Sequence, residues 1–204
     1  MIRIKFCGLS RPCDIEAANE LHPDYIGFVF AEKSKRYVTP DEARNLKKLL
    51  AEGIPAVGVF VNAQPETVAG LLAEGTIDLA QLHGAEDAAY LQKLRKLTDC
   101  RIIQAYRIQS EADLITAEQS EADYVLLDSG AGTGKAFDWT MLRGFSRPYF
   151  LAGGLTPENA GRAVRTLRPY AVDVSSGIET DGVKDRIKMA AFAAAVRSQE
   201  SVNE

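Results

Sequence analysis

Three kinds of residue in this chain have the chemistry to hold and rearrange a small ligand. They are a thiol at Cys7, a carboxylate at Asp128, and two small-residue turns, Gly153-Gly154 and Ser175-Ser176-Gly177. Cys7 is followed by Gly8 and shares one rim of the expected fold with several cationic side chains, so it could ionise and accept a proton. A free cysteine is otherwise often a small buried hydrophobe. Asp128 could transfer a proton, or it could simply cap the turn that follows it. Glycines let a backbone approach a ligand closely, and exposed N–H groups at helix starts bind anions. Either turn alone reads as ordinary connection chemistry, but the two on successive strands favour a phosphate grip. The two histidines compete weakly for a catalytic role. His22 falls in a connection and reads as structural, and His83 as the partner of a local hydrogen bond.

These residues become neighbours only if the elements carrying them converge. Short runs rich in β-branched and aromatic residues recur: Ile2–Phe6, Tyr25–Phe30, Ala56–Val61, Ile77–Leu82, Arg101–Tyr106, Tyr124–Asp128, Tyr149–Ala152 and Ala171–Val174. Several are apolar on both faces, as strands of a covered parallel sheet are. Helical patterns lie between them. Pro40 follows Thr39 and leads Ala43, Leu46, Leu49 and Leu50; Pro65-Glu66 leads Val68, Leu71 and Leu72; Glu86–Leu97 carries Tyr90, Leu91, Leu94 and Leu97. Thr156-Pro157-Glu158 is an N-cap, proline and acid in sequence, and Lys184–Val196 closes the pattern. The sixth helical segment, Asp138–Gly144, is short. Eight such units predict an α/β protein, a single (β/α)8 TIM barrel over residues 1–204, with residues 198–204 as a frayed tail. A doubly wound open sheet has the same local pattern, and the count of eight favours the barrel.

In a barrel the chemistry sits after the strands. Those positions hold Cys7-Gly8, Lys33-Ser34-Lys35-Arg36, Gln81-Leu82-His83-Gly84, Asp128-Ser129-Gly130, Gly153-Gly154-Leu155 and Ser175-Ser176-Gly177. Cys7 and Asp128, on strands one and six, would face each other across the mouth, a geometry suited to moving protons on a small ligand. Gly130–Lys135 looks at first like a P-loop, but the glycine spacing is wrong and Ala136 follows the lysine. It reads as a mobile loop over the site or a plain connection.

Composition narrows the class. A net charge of -4 leaves no electrostatic footprint for nucleic acid, and there is no polybasic run for a membrane surface. No apolar run nears the roughly 20 residues of a membrane span. The N-terminal apolar stretch is too short for a signal peptide, which points to the cytoplasm. Three cysteines without metal-site spacing fit a reducing compartment. No long exposed apolar segment calls for a partner, so a monomer is expected.

Taken in order, the motifs carry a family resemblance. Lys5-Phe6-Cys7-Gly8-Leu9 resembles the KICG opening of the phosphoribosylanthranilate isomerases, with Phe6 in place of Ile. Ile26–Phe30 with Ser34–Val38, Val57–Asn62 and Gln81–Gly84 are similar to its next strands and arginine loop. Leu126–Ser129, Gly132–Gly134, Phe137–Trp139, Leu151–Leu155, Asp173–Glu179 and Gly182–Asp185 complete the set. The match spans nearly the whole chain, and the ordered set is far more specific than any one motif. Ala131 departs from it, standing where a third glycine is common.

The resemblance implies an Amadori rearrangement of a small-molecule substrate, N-(5′-phosphoribosyl)anthranilate, to 1-(2-carboxyphenylamino)-1-deoxyribulose 5-phosphate, in tryptophan biosynthesis. It implies Asp128 as general acid and Cys7 as general base. A protonated iminium is an electron sink, so a thiolate suffices without metal or organic cofactor. Arg36 would hold the anthranilate carboxylate, a group suited to a guanidinium fork, while Lys33 and Lys35 read as solvated charges. Asp173 would bond a sugar hydroxyl or orient the strand-eight loop. Gly153, Gly154, Ser175, Ser176 and Gly177 would grip the phosphate with backbone N–H groups and hydroxyls. Lys184-Asp185 reads as the start of a helix.

Rivals remain at this stage. A related sugar-phosphate enzyme would share the grip, but indole-glycerol-phosphate synthase uses a strand-borne lysine, and no full constellation surrounds Lys5. The isomerase of histidine biosynthesis would use two aspartates, whereas strand one here presents Cys7. A non-catalytic phosphate-binding barrel is the third rival, and the retention of both Cys7 and Asp128 argues against it.

Overall fold

A computed structural model describes residues 2–128 and 139–199. Ser129, the Gly130–Lys135 loop and the end of the tail from residue 200 lie outside the described residues. Eight strands, β1 (Arg3–Cys7), β2 (Tyr25–Val29), β3 (Ala56–Phe60), β4 (Leu79–Leu82), β5 (Ile102–Arg107), β6 (Tyr124–Asp128), β7 (Tyr149–Ala152) and β8 (Ala171–Val174), pair in chain order into a closed barrel. All neighbours run parallel, and β8 returns to β1 with Lys5 opposite Asp173 and Phe6 opposite Val174. That pairing is the closure which separates the barrel from an open sheet.

Side chains alternate between the two faces of each strand. The outward set, including Phe6, Phe28, Phe60 and Val172, joins the helices in the main core. The inward set fills the barrel in layers. Tyr25, Val57, Leu79, Ile103, Leu126 and Phe150 pack where the strands begin. Cys7, Val29 and Val59 form a small apolar layer where they end. The interior is therefore a packed core, open for ligand only at the strand ends.

Seven α-helices stand among the described residues: α1 (Pro12–Leu21), α2 (Pro40–Leu49), α3 (Pro65–Ala73), α4 (Ala88–Arg95), α5 (Glu111–Glu118), α6 (Pro157–Leu167) and α7 (Arg186–Arg197). Their starts follow from local chemistry. In α2 the Thr39 hydroxyl accepts from Glu42 N, and the Glu42 carboxylate accepts from Thr39 N. In α6 the N-cap Thr156, itself in the β region, donates its N–H to Asn159 Oδ1 just before Pro157. Leu49, counted with the apolar stripe of α2, is instead exposed. The short sixth segment is a 3-10 turn, Trp139–Leu142.

The expected helix from Lys184 starts two residues late. Glu179–Thr180 (β9) and Val183–Lys184 (β10) form an antiparallel hairpin, with Lys184 opposite Glu179. Asp185 is the N-cap, its carboxylate accepting from Ile187 N and Lys188 N. Helix-start chemistry thus belongs to Asp185 alone, while Lys184 turns inward to bond Glu179 and Ser175 behind the cavity wall.

Candidate active site

The strand ends surround a cavity of about 600 Å³. Cys7, Arg36, Asp128, Gly153, Gly154, Asp173, Ser175 and Ser176 all line it. Gly177 does not. It packs behind the grip, where a Cβ would stand 1.8 Å from the Leu155 carbonyl oxygen, so this position admits no side chain without moving the β7 loop. Gly153 and Gly154 both have positive φ, 89° and 63°, and turn the chain sharply at the cavity edge.

Cys7 ends β1 with its side chain on the inner face, two residues above Lys5. Lys5 is 0% exposed and its ammonium donates to both Asp173 oxygens, at 3.0 and 3.1 Å. A Cβ built on Gly27 would lie 2.9 Å from Cys7 Sγ and 3.3 Å from Lys5 Nζ, so the bare backbone at Gly27 makes room for both groups. Burial pushes the Cys7 thiol up; the Lys5 charge opposes this, Asp173 reinforces it, and the net shift is upward. Burial lowers the Lys5 ammonium, yet the Asp173 and Cys7 charges outweigh it and hold Lys5 above its ordinary value. Asp173 is therefore the buried counter-ion of Lys5 across the seam of the barrel.

Asp128 ends β6, on the wall of the cavity. His83 Nε2 lies 3.5 Å from Asp128 Oδ2, and His83 Nδ1 is 3.0 Å from Gln81 Nε2. The Gln81 amide and His83 Nδ1 share this hydrogen bond, and Nε2 is the ring nitrogen that faces Asp128. The local hydrogen bond expected of His83 is present, and it orients the ring toward the carboxylate.

Arg36 is held by one edge. Its Nε and Nη2 donate to Glu179 Oε1 and Oε2 at 2.6 and 2.7 Å. Glu179 Oε1 also accepts from Lys184 Nζ at 2.6 Å, and that ammonium donates to the Ser175 carbonyl at 3.0 Å. Burial opposes ionisation of Glu179, but the Arg36 and Lys184 charges bonded to it hold its carboxyl below its usual range. Burial also lowers the Lys184 ammonium, against the pull of Glu179. The Ser175 hydroxyl donates to the Cys7 carbonyl at 3.0 Å, so at Ser175 the grip would rely on the backbone and not on the hydroxyl.

Sequence reasoning missed Glu179 and misassigned Lys184. A signal was available: Asp181-Gly182 between two short runs is a hairpin turn, and both residues have positive φ, 51° and 81°. Among the described residues no cluster of three or more His, Cys, Asp or Glu could hold a metal ion. No described helix is long and apolar enough to cross a membrane.

The geometry has many relatives. A family profile described as N-(5'phosphoribosyl)anthranilate (PRA) isomerase matches residues 4–195. The chain is 45% identical over 204 residues to N-(5'-phosphoribosyl)anthranilate isomerase of Caldanaerobacter subterraneus subsp. tengcongensis, covering 97% of this chain and 98% of that one. It is 42% identical over 203 residues to the protein of the same name from Endomicrobium trichonymphae, covering 97% and 100%. A crystal structure of phosphoribosyl anthranilate isomerase from Thermotoga maritima superposes with a TM-score of 0.89 at 35% identity, covering 97% and 100%. A phosphoribosyl anthranilate isomerase in complex with reduced 1-(o-carboxyphenylamino)-1-deoxyribulose 5-phosphate superposes at 0.87 with the same identity and coverage. The 3-hexulose-6-phosphate synthase of Salmonella typhimurium, at 13% identity and a TM-score of 0.75, shares the fold alone.

Proposed function

The chain belongs to the N-(5'-phosphoribosyl)anthranilate isomerase family, and on that premise we propose that Cys7 is its general base and Asp128 its general acid. The enzyme isomerises the aminated aldose phosphate to the ketose phosphate in tryptophan biosynthesis. One observation carries the assignment of roles: a thiol, a carboxylate, an arginine and two small-residue loops face one cavity.

In this reading Asp128 gives its proton to the furanose ring oxygen. The C1′–O bond breaks, the anilino nitrogen lone pair forms C1′=N⁺, and the ring opens. The Cys7 thiolate then takes the C2′ proton. The C2′–H electrons become a C1′=C2′ bond and the C=N electrons return to nitrogen. The enolamine tautomerises to the ketone. His83 Nε2–H would stabilise the Asp128 carboxylate left by the first transfer, and Lys5 the thiolate needed for the second. Arg36 would hold the anthranilate carboxylate, and Gly153, Gly154, Ser175 and Ser176 the phosphate. Asp173 would set the charge of Lys5 and meet the sugar only through its cavity-facing side.

The test is turnover of freshly made phosphoribosylanthranilate, followed by loss of anthranilate-type fluorescence. We expect Cys7→Ala and Asp128→Ala to fold normally and to lose about 10²–10⁴-fold or more in rate. Near-normal turnover by Cys7→Ala would remove the thiol from the mechanism. We further read the protein as a cytoplasmic monomer that binds no nucleic acid. Three free thiols and an acidic charge balance support this. A doubled mass in light scattering, or retention on nucleic acid or membranes, would overturn it.

A further inference from the structure

We propose that Glu179 and Lys184, on the β9–β10 hairpin, are positioning residues that give the site its selectivity for a substrate carboxylate. They hold Arg36 by its inner edge and leave its outer edge free for the ligand. The proposal rests on the reading of Arg36 as the carboxylate's partner.

A guanidinium offers two edges that can grip a carboxylate bidentately. The Nε/Nη2 edge of Arg36 is occupied by Glu179, at 2.6 and 2.7 Å. Nη1 and the second Nη2 hydrogen have no protein partner among the described residues, and Arg36 lines the cavity. The stem is fixed too. A Cβ on Gly8 would stand 2.5 Å from Arg36 Cδ, so the side chain lies directly against the Gly8 backbone. The head cannot swing without breaking both bonds to Glu179, and Glu179 cannot yield without releasing Lys184.

Lys184 is itself anchored. Its side chain is 2% exposed, and it donates to the carbonyl and hydroxyl of Ser175 as well as to Glu179. A partly buried ion triad is costly to desolvate and gives poor stability compared with apolar packing. A site that must present a rigid positive fork gains from one, because Arg36, Glu179 and Lys184 together keep one net positive charge next to the cavity. The anthranilate carboxylate would complete the second edge of the same guanidinium.

The experiment uses two stable reduced product analogues, one bearing the aromatic carboxylate and one with hydrogen in its place. Their dissociation constants are measured calorimetrically for the wild type, Glu179→Gln and Arg36→Met. Glu179→Gln is expected to weaken the carboxylate-bearing analogue about tenfold, roughly 1.4 kcal/mol, while changing the other by less than about twofold. Arg36→Met is expected to show the same selectivity with a larger loss. If Arg36→Met is selective but Glu179→Gln weakens both analogues equally, or neither, the positioning role is wrong and the Arg36 reading stands. If Arg36→Met itself treats the two alike, both fall. Should Glu179→Gln fail to fold, the charge-balanced Glu179→Gln/Lys184→Met protein carries the same comparison.

Discussion

The thiol of Cys7 is pulled two ways by burial and by neighbouring charge, which its sequence context does not display. Cys7 is buried at the end of β1, and burial raises its pKa despite Lys5 below it and Lys184 nearby. Burial therefore opposes formation of the thiolate in the unliganded enzyme, and the reactivity of Cys7 should climb on the alkaline side. In a Cys13→Ser/Cys100→Ser background we expect the pH profile of Cys7 alkylation to lie above that of a free cysteine. Lys5→Met should move it further up, because the nearest opposing charge is gone. A profile at or below the free-cysteine value would contradict the burial argument. The same shift acts on stability. The unfolded thiol ionises first, so the fold loses stability as pH rises from about 8.5 toward the higher folded value. Cys7 and Asp128 were legible because strand ends are where barrels put their chemistry. The Lys5–Asp173 pair was only half legible: alternation pointed Lys5 inward, but its partner is 168 residues away.

At the level of elements, loops after β7 and β8 act as one piece. Gly177 presses against the Leu155 carbonyl, and Asn159 Nδ2 donates to the Gly154 carbonyl at 2.8 Å. Gly177→Ala must part the two loops, since backbone cannot give way as a side-chain tip can. We expect it to lower stability by about 1–3 kcal/mol in urea unfolding. It should also raise KM for the phosphorylated substrate more than it lowers kcat. Equal stability and KM would show that the loops relax freely. The strands and five of the helices were readable from periodicity and caps. Helices α1 and α5 were not singled out, although Pro12 and the Ser110/Asp113 pair mark their starts. Their buried faces are thin: α5 buries only Ala117, and α1 buries Ile15, two alanines and Asp14. A stripe of small residues gives periodicity little amplitude. The β9–β10 hairpin was lost for a different reason, because two-residue strands are too short to alternate.

For the whole molecule, closure was the question that local pattern left open, since an open doubly wound sheet is built from the same units. It is answered only by pairing between the first and last strands. The end of the barrel away from the site is plugged by rings. Phe150 is fully buried, with centroids 5.5 Å from Tyr25, 5.7 Å from Tyr124 and 5.5 Å from Tyr170. Hydroxyl contacts link Tyr25 to Tyr170 at 3.1 Å and Tyr170 to Tyr124 at 3.3 Å. Phe150→Ala should cost about 3–5 kcal/mol in equilibrium unfolding, by opening a void no neighbour can fill. KM at low temperature should stay close to wild type, because the plug and the cavity lie at opposite ends of the strands. A large KM change would mean that the layers between them are mechanically coupled.

The seam between β1 and β8 also orders events in time. A chain is synthesised from its N-terminus, so Cys7 leaves the ribosome well before Asp173 and Lys184 do. Until they arrive, Lys5 has no counter-ion and Cys7 no wall, and the thiol is an ordinary solvent-facing one. The proposed base is made early and enclosed late. Incomplete chains are therefore silent as enzymes, and disappearance of the Cys7 thiol from solvent marks the moment a barrel is finished.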